Sequence, residues 1–162
     1  MAPMSTPLRH DLTYDAPLAE VAAMLADPAF REAVCDAQHA LSRTVTITGT
    51  TESGSVAVDY AQAANGVPSF AKKLVGERIE IAQREQWSGN HAALEITIPG
   101  KPGEMKGTIT LTESGGTTVQ RVAADIRVNM PLVGGKAERV IEEILLKALR
   151  KENQVGREWL AR

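Results

Sequence analysis

Pro131-Leu132-Val133-Gly134-Gly135 is the point at which a chain patterned almost throughout as strands becomes one long amphipathic helix. Val133, Ala137, Val140, Ile141, Ile144, Leu145 and Ala148 recur at helical spacing as a broad apolar stripe, while Lys136, Arg139, Glu143 and Lys147 fall opposite. One face is therefore meant for burial. Lys151 and Glu152 interrupt the stripe before Val155 and Trp159 resume it. The spacing predicts a helix from Leu132 to Leu160 that either leaves its partner layer near that interruption or folds Trp159 over one end. Gly134 and Gly135 lack the Gly-x-x-x-x-Gly-Lys surroundings of a phosphate loop, so close packing of helix on strand is the expected reason for them.

Working back from this helix, Val122, Ala124, Ile126, Val128 and Met130 alternate with Arg121, Asp125 and Arg127, which reads as a strand with one wet face. Ser114-Gly115-Gly116 turns the chain, and Met105, Gly107, Ile109 and Leu111 continue the period of two. Pro99-Gly100-Lys101-Pro102-Gly103 is a break, and before it a hairpin turns at Ser88-Gly89-Asn90 between Ile79 to Trp87 and Ala92 to Ile98. A further hairpin joins Val45 and Ile47 to Val56, Val58 and Tyr60. Pro68 to Val75 forms a helical turn with Phe70 and Leu74 on one side. Near the N-terminus, Leu8, His10, Leu12 and Tyr14 make a strand, followed by two short helices that meet at Asp27-Pro28, with Asp27 placed to cap the second.

The totals narrow the choice. A chain of 162 residues is the size of a single domain, expected to span residues 1–162, with no linker or repeat to divide it. A formal net charge of -2 provides no field for a phosphate backbone, so no nucleic-acid partner is expected. Cys35 stands alone and fits a reducing cytoplasm. The N-terminus lacks a basic segment followed by an apolar run, and no stretch approaches the ~20 apolar residues of a membrane span, so neither a secretory leader nor stable membrane insertion is expected. Aromatic residues make up only 4% of the chain, so Ala, Val and Ile must fill the space between sheet and helix or leave a void there.

This order of elements resembles the START-like (SRPBCC) superfamily, which includes lipid-transfer proteins and polyketide cyclases. Trp87, the segment Met130 to Glu138 and the late Glu158-Trp159-Leu160 look like an uncharacterised actinobacterial branch of it. The resemblance implies an α+β helix-grip fold: a seven-stranded curved antiparallel sheet, two short helices and one long C-terminal helix. It also implies a cavity between helix and sheet that holds lipids, polyketides or other apolar molecules.

The expected function is binding or transport of such a small hydrophobic ligand, by a protein that is a monomer or weak homodimer and needs no cofactor. The expected lining comprises Val58, Tyr60, Leu94 and Ile96, then Ile109, Ile126 and Val128 from later strands, and Val140, Ile141 and Ile144 from the helix. Trp87 forms part of a wall, and Phe70 and Leu74 belong to a segment that controls entry. Strict alternation would turn Gln83 and Glu85 inward, making Glu85 the polar group of the cavity. Because a buried carboxylate is costly without a partner and bulges are common in curled sheets, the simpler expectation is that both face water.

Two alternatives accompany this reading. One is a cyclase or dehydratase using Glu85, Tyr60 or His91 for proton transfer, although no complete catalytic set is present. The other is a protein-interaction module of the chaperone-regulator kind. His10, His39 and His91 lie on separate elements without ligand spacing, so no metal site is expected.

Overall fold

Each stretch of period-two alternation becomes a strand, and each stretch of helical spacing becomes a helix, in a computed structural model that describes residues 5–162 except for the side chain of Leu74. Residues 1–4, which carry part of the expectation about a leader, lie outside the described residues. The order is β1 (Thr6–Tyr14), α1 (Leu18–Leu25), α2 (Pro28–Ala37), β2 (Ser42–Gly49), β3 (Ser53–Ala63), α3 (Ser69–Val75), β4 (Arg78–Ser88), β5 (His91–Thr97), β6 (Gly103–Ser114), β7 (Thr117–Val128) and α4 (Gly134–Leu160).

All seven strands form one antiparallel sheet in the order β1-β7-β6-β5-β4-β3-β2. Strands β2 to β7 form a meander, and β1 closes against the last of them. The chain must therefore cross from one sheet edge to the other between β1 and β2, and α1 and α2 occupy that crossing. Asp27 caps α2 by accepting the Ala29 N–H at 2.9 Å, with Pro28 in the first turn. Two tight hairpins hold the register. Gly89 (φ 57°) and Asn90 (φ 62°) turn β4 into β5, and Gly115 (φ 59°) and Gly116 (φ 81°) turn β6 into β7. Both use the left-handed backbone that matches strand twist.

Helix α4 packs against β1 and β7 and against α1 and α2. Its start is later than the spacing predicts. Leu132 takes a left-handed φ of 71° in a turn closed by Val133 N–H donating to Pro131 O at 2.8 Å, so it points wholly into solvent and the helix begins at Gly134. A Cβ on Gly134 would lie 2.7 Å from Val128 O, which bears out the close-packing explanation, whereas Gly135 has nothing nearby and needs another one. Glu138 then ties the helix to the sheet edge, accepting Val128 N–H and the Thr6 hydroxyl, each at 2.9 Å.

At the other end α4 does not leave its layer. Glu152 is buried, and Trp159 meets Phe30 of α2 edge-on with ring centroids 5.6 Å apart. The Arg162 guanidinium stacks on the Trp159 ring at 3.6 Å.

Candidate functional site

Because α4 seats on the β1–β7 side of the sheet, the central strands curve away beneath it and the small side chains between them do not fill the gap. Two adjoining cavities result. The outer one, of about 70 Å³, is enclosed by Val140, Ile141 and Ile144 of α4, by Ile79, Ile81 and Ile98 of the sheet side, by Val67, Ala71 and Val75 around α3, and by the loop at Lys101 to Glu104. Its walls are almost entirely apolar. The inner one, of about 50 Å³, reaches toward α2 and is bounded by Val34, Cys35 and Gln38, by Val58 and Tyr60, by Gln83, Glu85 and Leu94, and by Ala148, Leu149 and Glu152. Ile96, Met105 and Leu145 border both cavities and form the partition between them.

The inner wall carries a polar cluster in an otherwise greasy interior. Arg31 and Glu85 are both buried and meet end-on, with Nη1 to Oε2 at 3.0 Å and Nη2 to Oε1 at 2.8 Å. Arg31 Nε also donates to Leu25 O at 2.8 Å. Glu85 accepts two further bonds, from Trp87 Nε1 at 2.8 Å and Gln83 Nε2 at 2.5 Å. Such a bidentate, fully surrounded pair is how a buried ion pair offsets its desolvation. Burial works against the Arg31 charge, but Glu85 and Glu152 outweigh it and hold its pKa above the usual value.

Glu152 is a second buried carboxylate, and it is less well served. Its Oε2 accepts Gln120 Nε2 at 3.0 Å, while no donor among the described residues reaches Oε1. The Gln120 Oε1 atom is buried without a partner among the described residues. Burial, reinforced by the Glu85 charge, holds the Glu152 carboxyl above the usual carboxylate range despite Arg31 and the Gln120 bond. Burial likewise raises the Tyr60 phenol and pushes the Cys35 thiol up to about 11, which makes Cys35 an inert wall residue at neutral pH.

The residues singled out from the sequence distribute themselves unevenly. Val58, Tyr60, Glu85, Leu94 and Ile109 border the inner cavity, Val128, Val140, Ile141 and Ile144 the outer one, and Ile96 both. Trp87 and Ile126 lie in the packed core outside either lining, with the Trp87 indole bound to Glu85. Phe70 lies beneath the Lys136 ammonium at 5.6 Å and also stands outside the linings, and the Leu74 side chain is outside the described residues.

The expectation that Gln83 and Glu85 face water is overturned. β4 runs without a bulge through its pairing with β3 and β5, and Arg31 provides the partner that makes burial of Glu85 tolerable. With four donors on it, Glu85 is a structural anion poorly suited to moving protons. His91 is exposed at the start of β5, away from the cluster.

Arg31, Gln120 and Glu152 were not identified as site residues from the sequence. A signal existed for two of them. Ile141, Leu145, Ala148, Glu152, Val155 and Trp159 are spaced alternately four and three apart, so Glu152 continues the stripe it was taken to interrupt. Gln120 gave one too, since it stands two residues before Val122 on the same alternating face of β7, whereas Arg31 gave none, an arginine on a short helix being an ordinary surface residue.

Comparison with solved structures supports the START-like helix-grip fold. A protein from Thermus thermophilus superposes with a TM-score of 0.64 at 14% identity, covering 93% of this chain and 97% of its own. A START superfamily protein from Mycobacterium smegmatis gives 0.62 at 13% identity, covering 97% and 99%. Norcoclaurine synthase from Thalictrum flavum gives 0.62 at 12% identity, covering 98% and 88%. At these identities the likeness is one of fold alone. No match to the sequence is found among curated proteins. Residues 9–160 match the family described as "Protein of unknown function (DUF2505)".

Proposed function

The chain belongs to the DUF2505 family, whose description assigns no activity, and from the fold and the space beneath α4 we propose that it reversibly binds a small, mainly hydrophobic molecule there. The observation that carries this reading is the pair of cavities that share Ile96, Met105 and Leu145 as lining. Protein interiors are normally close-packed, and an unfilled apolar void of about 70 Å³ costs roughly 1–2 kcal/mol. Such a loss is readily offset when a guest fills the void, at about 25 cal/mol per Å² of apolar surface removed from water.

Ligand pockets commonly measure about 300–1,000 Å³, so a guest of that size requires the surrounding walls to give way as well as the partition to open. Met105, with its unbranched and adaptable side chain, is suited to swinging aside. The α3 segment borders the outer cavity through Ala71 and Val75, which supports a role for it in admitting the guest.

Native mass spectrometry of gently purified protein is expected to show a co-purified apolar molecule, and the neutral dye Nile red should bind the stripped protein. Ile144→Trp should fill the outer cavity and weaken dye binding by at least about tenfold while leaving the circular dichroism unchanged. Protein that carries no ligand and ignores the dye would overturn the reading.

A further inference from the structure

Hydrogen-bonding capacity in the inner cavity is unbalanced, and the imbalance specifies a guest. Among the described residues Arg31 is the only cation in that wall, and Glu85 already matches its charge in a two-point pair. Glu152 is therefore a carboxylate in excess. The Oε1 of Gln120 is a buried acceptor with no donor among the described residues, and the hydrogen bond that the Glu152 carboxylate accepts from Gln120 falls on Oε2, which leaves Oε1 free to accept another. Buried acceptors left in this state are unfavourable, and a missing group that donates several hydrogen bonds would satisfy them together.

Resting on the binding reading above, we propose that the inner cavity takes the ammonium group of an otherwise apolar amine, with Glu152 and Gln120 as its acceptors and the hydrocarbon body extending past Met105 into the outer cavity. An ammonium has N–H donors for the Gln120 Oε1 and the Glu152 Oε1, and one positive charge to match the carboxylate. A carboxylate guest would instead face Glu85 and Glu152 together. An alcohol has only one donor and leaves the charge unmatched.

The groups around Glu152 are Arg31 and Cys35 on α2, Glu85 on β4, Gln120 on β7, Tyr60 on β3 and Tyr14 on β1. Burial raises the Glu152 pKa in the empty site, whereas a neighbouring ammonium favours the carboxylate form, so binding strengthens as pH rises.

Calorimetric titration of the full chain with octylamine, octanol and octanoic acid tests this. The amine should bind at least about tenfold more tightly than the alcohol near pH 8, lose most of that advantage near pH 5, and exceed the acid throughout. Glu152→Gln should abolish the amine's advantage over octanol. Should that variant fail to fold, the pH dependence of the native protein decides. Octanol or octanoic acid binding as tightly as the amine, or an amine preference unaffected by pH, overturns the inference and leaves hydrophobic binding standing. Failure of all three to bind overturns both.

Discussion

Arg31, Glu85 and Glu152 show how differently buried charges behave when their partners differ. Removing one member of the Arg31–Glu85 pair strands the other in a low-dielectric interior, so Glu85→Gln should lower unfolding free energy by about 3–5 kcal/mol in urea melts. The double replacement Arg31→Met with Glu85→Leu should recover part of that loss, because no isolated charge remains, although the Trp87 and Gln83 donors stay unpaired. Glu152 behaves in the opposite sense. Its carboxyl pKa is raised on folding, so between the ordinary and the raised value the native state holds a proton that the unfolded chain has released. Stability attributable to it is therefore present below the ordinary carboxylate pKa and declines as pH rises toward the folded value. Glu152→Gln should consequently raise the melting temperature relative to the parent near pH 8 and show little gain near pH 4. An equal effect at both pH values would show that its ionisation is not coupled to folding.

Within α4, two glycines of the same helix should respond to the same substitution with opposite sign. A Cβ on Gly156 would lie 2.6 Å from Tyr14 Cε1 and 2.9 Å from its hydroxyl, which already lacks a partner among the described residues, so Gly156→Ala should destabilise by about 1–3 kcal/mol. Gly135 has open space, and Gly135→Ala should stabilise by about 0.5–1 kcal/mol through helix propensity. Thermal melts of the two variants compare them directly. The amphipathic stripe of α4 was legible because a period near 3.6 is a local property of the chain, whereas its first turn was not. Nothing in Pro131-Leu132-Val133 shows that Leu132 adopts a left-handed backbone and delays the helix by two residues. Glu152 was misplaced for a related reason: a charge within an apolar stripe resembles a break until the facing residues, Gln120 and Arg31, are known.

For the molecule as a whole, Leu145 is the residue through which packing and capacity trade against one another. Leu145→Ala should cost about 2–5 kcal/mol in urea melts and join the two cavities, so Nile red should bind more tightly to the less stable protein. A loss of stability with no gain in dye binding would mean that the space collapses when the partition is removed.

The order of strands and helices, the hairpin turns and the inward faces of β3 to β7 were set by the sequence itself, because alternation, capping residues and turn glycines act between near neighbours. The state of the space beneath α4 was decided only by tertiary structure. Arg31 lies 54 positions before Glu85, and Gln120 lies 32 before Glu152. A carboxylate's tolerance of burial depends on what stands opposite it, and no local pattern records which residues, distant in the chain, will be brought face to face.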